Sequence, residues 1–128
     1  MPTSASLVQD IQRHHQNGDR VIATSSSWKD SKLLLADFNL SDVSSARHEA
    51  LAFDALIRKV EDGLRSGVPF FDQPTAIVVA DPGLISQAGM DSRWETVKAA
   101  AARSPNPVVF FETHRLTAEP GRTKTPGL

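Results

Sequence analysis

Thr75-Ala76-Ile77-Val78-Val79-Ala80 is an uninterrupted apolar run in the second half of the chain. It shows no alternation between apolar and polar residues, so neither of its faces is suited to contact with water. Runs of this kind are typical of parallel strands that helices cover on both faces of a sheet. Asp81-Pro82-Gly83 follows and supplies the residue types that end a strand in a turn. The stretch therefore predicts a strand buried inside an α/β fold.

Two further strands and four helices are predicted on either side of this run. The strands span residues 19–24 and 108–111, and the second of them is expected to be fully buried. Apolar residues at helical spacing predict helices over 6–15, 28–38, 45–64 and 92–103. Residues 40–45 are a loop or a short edge strand. Strands that alternate with helices predict a three-layer α/β sandwich around a short, mainly parallel sheet, with right-handed crossovers.

The length of 128 residues suits one domain with a single hydrophobic core. Apolar residues make up 40% of the chain and charged residues 23%, as is usual for a globular fold. We expect residues 1–116 to form this domain. Residues 117–128 have no apolar pattern and are predicted to be a flexible C-terminal tail.

Charge, cysteine content and hydropathy narrow the classes of function. Fourteen Lys and Arg oppose fifteen Asp and Glu, and the net charge of −1 disfavours a dedicated nucleic-acid binder while permitting a local basic groove. The chain has no cysteine, which excludes disulfides and thiolate metal sites. No apolar run approaches the roughly 20 residues that span a bilayer, and the N-terminus lacks a signal-peptide pattern. We therefore expect a cytoplasmic protein that does not insert into membranes.

Parallel sheets of this type place their sites at the carboxyl ends of the strands. The loops after Thr24, Ala80 and Phe111 are therefore the places to look for function. The loop after Thr24 offers hydroxyls, one indole and one ammonium group in Ser25, Ser26, Trp28 and Lys29. Phosphate contacts combined with an aromatic stacking platform are typical of sequence-tolerant single-strand binding. The alternative is structural: the serines cap a helix and Trp28 covers the edge of the sheet.

Acidic and histidine side chains offer weaker hypotheses. Three carboxylates could gather at the carboxyl edge of the sheet as a catalytic site, although unrelated loop acids are the favoured interpretation: Asp72, Asp81 and Glu112. The four histidines do not have the spacing of metal ligands, and all are expected at the surface: His14, His15, His48 and His114. No metal site is predicted.

Taken in order, the three loops resemble the RecA-like motor core of superfamily 1 helicases, most closely the helicase part of conjugative relaxase-helicases. The resemblance spans residues 18–116, about three quarters of the chain. Residues 21–29 resemble the strand and polar loop that touch single-stranded DNA in that family. Residues 77–86, Ile-Val-Val-Ala-Asp-Pro-Gly-Leu-Ile-Ser, resemble its Walker B strand, and residues 111–116 resemble its γ-phosphate sensor.

The chain departs from that family at each nucleotide-handling position. It has no Gly-x-x-x-x-Gly-Lys-Ser/Thr loop, so it is P-loop-like without the P-loop. Ala80 stands where the resemblance implies an acidic Mg²⁺ ligand, and Arg115 stands where it implies the sensing glutamine. Since phosphoryl transfer needs these parts, the resemblance implies a vestigial domain that is not an enzyme and needs no cofactor.

Two functions remain open. The first is binding of single-stranded DNA or of a partner protein in a conjugation or DNA-processing complex. The residues expected to contact nucleic acid are Ser25, Ser26, Trp28 and Lys29, with Arg115 secondary. The second is a pseudo-ATPase that binds only protein, which the near-neutral charge favours.

Overall fold

The computed structural model describes residues 4–40, 45 and 47–114. In chain order the elements are α1 (Ala5–Gln16), β1 (Arg20–Ser25), α2 (Trp28–Asp37), β2 (His48–Ala52), α3 (Phe53–Ser66), β3 (Thr75–Ala80), α4 (Gly83–Gln87), α5 (Asp91–Arg103) and β4 (Val108–Thr113). The predicted domain boundary at residue 116 and the predicted tail lie outside the described residues.

The four strands form one parallel sheet in the order β2-β1-β3-β4. Val21 pairs with Ala76 of β3 on one side and with His48 of β2 on the other. β3 pairs with β4 over six residues, from Thr75 opposite Val108 to Ala80 opposite Thr113. The predicted α/β class is confirmed, with a sheet that is parallel throughout the described strands.

Helices cover both faces of the sheet and divide the core into two halves. On one face α1 and α2 supply Ile11, Leu34 and Leu35, which pack with odd-numbered β1 and even-numbered β3 residues. On the other face α3 and α5 pack against the residues of opposite parity, in a cluster that includes Leu56 and Val97. All six residues of β3 are buried, as the apolar run predicts. The result is a three-layer sandwich.

The single helix predicted over residues 45–64 is wrong, because His48–Ala52 forms β2 and the helix begins only at Phe53. Ala, Leu and Glu in this segment favour a helix when taken alone. Pairing with β1 overrides that preference: Ala50 and Leu51 are buried beside Ala23 and Thr24. A contact between segments distant in sequence therefore decides the structure of this strand.

The strand predicted to be fully buried over residues 108–111 is instead an edge strand, and it continues to Thr113. Val109 is 39% exposed. Five of the six β4 side chains are at least partly accessible, because helices cover an edge strand less completely than a central one. α4 is a short helix that the sequence analysis did not anticipate. None of the described helices has the length and hydropathy needed to cross a membrane.

Candidate functional site

The sheet has a topological switch point between β1 and β3. The chain passes from β1 outwards to β2, and then returns across β1 to β3 on its other side. The helix after β1 therefore lies on one face of the sheet, and the helices after β3 lie on the opposite face. In open parallel sheets this divergence leaves a crevice outside the carboxyl ends of the two strands. The turns at residues 26–27 and 81–82 border that crevice.

A buried hydroxyl network fixes the turn after β1. Ser31 Oγ on α2 lies 2.7 Å from the carbonyl oxygen of Leu51, 2.9 Å from that of Ser27 and 3.1 Å from Ser25 Oγ. The Ser25 hydroxyl also donates to the Ser27 carbonyl at 2.9 Å. Ser31 is fully buried and Ser25 is 4% exposed. Three elements, β1, α2 and β2, are therefore tied together directly beneath the turn.

The turn leads straight into the amino terminus of α2. Ser27 is the N-cap residue, and its side chain accepts the N–H of Asp30 at 3.1 Å. The free N–H groups of a first helical turn give this end of α2 a partial positive charge. Lys29 is exposed on the same turn. The local field therefore favours an anion, although Asp30 lies in the same turn and opposes it.

Trp28, the first residue of α2, is 57% exposed. The Nζ atom of Lys32 lies over its ring, 4.1 Å from the centroid. A cation over one face of an indole is a stabilising arrangement and helps to hold the ring in place. Lys32 was missed by the sequence analysis, but its position four residues after Trp28 on a helix is a signal that could have found it.

The structure separates the predicted contact residues into two groups. Ser26, Trp28 and Lys29 are exposed and adjacent at the carboxyl edge, whereas Ser25 is buried with its hydroxyl engaged internally. The capping role considered for the serines is observed at Ser27. Trp28, considered as a cover for the sheet edge, is 57% exposed. Arg115 lies outside the described residues.

The strand ends beside the turn carry two unusual polar groups. The hydroxyl of Thr24 is buried and has no hydrogen-bond partner among the described residues. Asp81 is 7% exposed and has a left-handed backbone, with φ of 53°. Its N–H donates to the carbonyl of Thr113 at 2.7 Å, which extends the sheet contact by one residue. Ala80, beside it, is buried in the core cluster that α1 and α2 cover.

The three acidic residues considered as a carboxylate site are not brought together. Asp72 precedes β3 and lies at the opposite, amino edge of the sheet, whereas Asp81 follows β3. Glu112 lies on the exposed edge strand, in register with Val79. Among the described residues no group of three or more His, Asp or Glu side chains is arranged to hold a metal ion.

The prediction that all four histidines lie at the surface is wrong for His48, which is 8% exposed. His15 Nε2 lies 3.3 Å from His48 Nδ1, and His14 Nδ1 lies 2.8 Å from a carboxylate oxygen of Asp19. Burial, with the nearby Arg47 and His48, lowers the pKa of His15 below its ordinary value. The contact between His15 and His48 forms only because His48 lies in β2. The spacing of the two histidines in the sequence therefore did not reveal it.

Two cavities lie at the amino edge of the sheet, far along the strands from the crevice. One has a volume of about 150 Å³ and apolar walls that include Val60, Leu64 and Phe71. This volume is well below the roughly 300 Å³ of a typical small-molecule site. The other, of about 350 Å³, is bordered by Arg20 and by both acidic and basic side chains.

Arg20 is a charged group at that edge with two contacts to Phe70. Its guanidinium donates to the Phe70 carbonyl at 2.9 Å and lies 4.6 Å from the centroid of the Phe70 ring. Burial lowers the pKa of Arg20, while the neighbouring Asp72 and Glu49 act in the opposite direction. These contacts attach the segment before β3 to the start of β1, which is a structural role.

No protein-family model matches this chain, and no curated protein sequence and no solved structure matches it significantly.

Proposed function

We propose that the protein binds single-stranded nucleic acid at the carboxyl edge of β1 and β3. The observation that carries the proposal is the 57% exposure of Trp28 at the amino terminus of α2, at the switch point of the sheet. Large aromatic side chains are usually well covered in folded proteins, and an exposed indole can stack on any base. Lys32 lies over one face of the indole, and the proposal places the base on the opposite face.

The groups around Trp28 suit a phosphate backbone. Lys29 and Lys32 provide two cations within one helical turn of the indole, and Ser26 provides an exposed hydroxyl. The amino terminus of α2 adds backbone N–H donors and a favourable dipole. Ser25 acts from beneath as a positioning residue, because its hydroxyl holds the turn rather than a ligand. Arg115 is proposed as a secondary contact.

The residues at the end of β3 fit a domain that binds nucleic acid and does not hydrolyse a nucleotide. Ala80 has no oxygen with which to hold Mg²⁺, and the chain lacks a phosphate-cradling loop. The resemblance to superfamily 1 helicases supports a vestigial, P-loop-like domain that retains the strand-contacting loop of a motor. Its proposed setting is a conjugation or DNA-processing complex in the cytoplasm.

A second candidate is a pure protein-interaction module. At the amino edge, Leu64 is 52% exposed beside the small apolar cavity, and Val68 is 66% exposed beside the larger cavity. Together with a net charge of −1, these side chains favour docking of a protein over docking of a polyanion. This candidate predicts a complex that is insensitive to salt and is weakened by Val68→Asp, with Trp28→Ala having no effect.

The test is tryptophan fluorescence during titration with a single-stranded oligodeoxynucleotide at low and at moderate salt. Trp94, which packs between Phe53 and Phe110, is the second tryptophan and stays as an internal reference. The proposal predicts saturable quenching that is lost in Trp28→Ala. Affinity should fall by about 0.7 log units per phosphate contact for each tenfold rise in salt.

Charge variants separate a specific site from general electrostatic attraction. The double variant Lys29→Gln, Lys32→Gln should bind more weakly, whereas Lys98→Gln, an exposed lysine on α5 on the opposite face, should bind as the wild type does. Absence of quenching at high micromolar oligonucleotide would contradict the proposal. Equal weakening by both sets of lysine changes would also contradict it.

A further inference from the structure

We propose that β4 is an interface strand that pairs antiparallel with β4 of a second copy of this chain, extending the sheet across a dimer. β4 is the last strand of the sheet, and among the described residues it pairs only with β3. Its outer side therefore presents backbone N–H and C=O groups. Such an edge is a template for another strand unless the protein blocks it.

The hydrogen bonds to β3 identify which backbone groups face outwards. The N–H of Thr75 bonds to the carbonyl of Pro107, and the N–H of Asp81 bonds to the carbonyl of Thr113. Odd-numbered residues of β4 therefore turn their backbone groups towards β3. The even-numbered residues Val108, Phe110 and Glu112 turn theirs away from the sheet, because a strand alternates its hydrogen-bonding direction at each residue.

Few of the usual devices that protect an edge strand occur along β4, where Glu112 is the one charged residue. The register with β3 runs through six consecutive residues without a bulge, and the strand contains no lysine and no proline. Four of its six residues are apolar, namely Val108, Val109, Phe110 and Phe111. The opposite edge strand, β2, is one residue shorter and has three apolar residues beside His48 and Glu49. An edge strand with four apolar residues and a single charge is a surface expected to be covered.

A second copy fits this edge because the strand is self-complementary. Antiparallel pairing centred on Phe110 would place Phe110 beside the same residue of the other copy and Val109 beside Phe111. The one charged residue, Glu112, would face Val108, so the two carboxylates stay apart. Phe110 already stacks edge-on with Trp94, and Phe111 does so with His14 on the other face. The partner strand would continue both of these packed layers.

The test is sedimentation equilibrium of the full 128-residue chain from low to high micromolar concentration. We expect a reversible dimer that Val109→Lys weakens by about tenfold or more, since a charge would be placed beside the partner's Phe111. Glu112→Pro should act in the same direction, because it removes one outward N–H donor. Val68→Lys, the same change at an exposed valine far from β4, should leave the dimer intact.

Amide hydrogen exchange provides a second readout that does not depend on any variant. In the dimer the amides of Val108, Phe110 and Glu112 should gain protection as the protein concentration rises. A monomer at all concentrations would overturn the proposal, and so would a dimer that both β4 variants leave unchanged. Concentration-independent protection of these amides in a monomer would also overturn it, since the edge would then be covered without a second copy.

Discussion

His15 Nε2 lies 3.3 Å from His48 Nδ1, which joins the end of α1 to the first residue of β2 across 33 positions of sequence. The Arg47 guanidinium donates to the carbonyl of His15, and Ser45 Oγ lies 3.3 Å from the same nitrogen of His48. His48 is 8% exposed, and its Nε2 atom has no partner among the described residues. Burial and the nearby Arg47 and His48 therefore disfavour a positive charge on His15.

Stability should therefore fall as the pH drops below about 6.5, the ordinary pKa of histidine. The pKa of His15 is lowered in the folded protein by burial, then by Arg47 and His48. Between the folded and unfolded values the unfolded chain binds more protons, so acidification favours unfolding. The contribution of His15 is complete above 6.5 and is lost as the pH falls through its folded value.

Urea denaturation at pH 7.5 and 5.5 would measure this effect. One such group changes the free energy of unfolding by at most about 1.4 kcal/mol per pH unit. His15→Gln should flatten the pH dependence, because glutamine does not titrate. His114→Gln, a change at an exposed histidine after β4, should preserve the wild-type slope. Identical slopes in all three proteins would show that His15 does not carry the dependence.

Most of the fold follows from local patterns in the sequence. The apolar run of β3 and the helical spacing of α1, α2 and α5 each predict the observed element, since the pattern reflects which faces are buried. β2 was not predicted because the residues His48–Ala52 have no strand preference of their own. Their pairing with β1 makes them a strand. The edge position of β4 was not predicted for a related reason. The order of strands in a sheet depends on how the connecting helices pack, and the sequence of one strand does not reveal it.

The location of the candidate site could be predicted because it lies at the ends of strands. The loop after β1 could be located because the carboxyl ends of parallel strands meet at one edge. The roles inside that loop could not be divided in advance. Ser25 and Ser26 are identical residues, but Ser25 is the last residue of β1 and its hydroxyl meets Ser31, whereas Ser26 begins the turn and is exposed.

A substitution at Gly63 on α3 would test how closely the segment before β3 packs against that helix. A Cβ atom built on Gly63 would lie 2.6 Å from the carbonyl oxygen of Val68 and 3.2 Å from the nitrogen of Phe70. Both atoms belong to the backbone, so neither can turn aside. Gly63→Ala should therefore lower the free energy of unfolding by about 1–3 kcal/mol, even though alanine favours a helix by about 1 kcal/mol.

Gly83→Ala is the matched control for Gly63→Ala. Gly83 begins α4, and a Cβ atom there would have nothing within 4 Å. The substitution should be neutral or should stabilise the protein by up to about 1 kcal/mol, because alanine reduces the freedom of the unfolded chain. Thermal or urea denaturation of both variants would check the pair. A neutral Gly63→Ala would mean that residues 68–70 can move away from α3.

Ser31 should control binding at the carboxyl edge without contacting a ligand. Its buried hydroxyl is shared among Leu51, Ser27 and Ser25, and alanine would leave buried oxygen atoms without that contact. Ser31→Ala should cost about 1–3 kcal/mol of stability, the usual effect of an unsatisfied buried group. Because the turn that presents Ser26 and Trp28 is then less fixed, oligonucleotide affinity should also fall.

The two effects of Ser31→Ala can be separated by measuring affinity where the variant is still fully folded. Ser6→Ala, an exposed serine on α1, should change neither stability nor affinity. Salt dependence supplies the decisive comparison, since its slope counts phosphate contacts. Loss of turn order should weaken binding with the slope preserved, whereas Lys29→Gln should reduce the slope itself. If Ser31→Ala destabilises the fold but binds as the wild type does, the hydroxyl network supports only the sheet, and the turn is held for binding by the Ser27 cap.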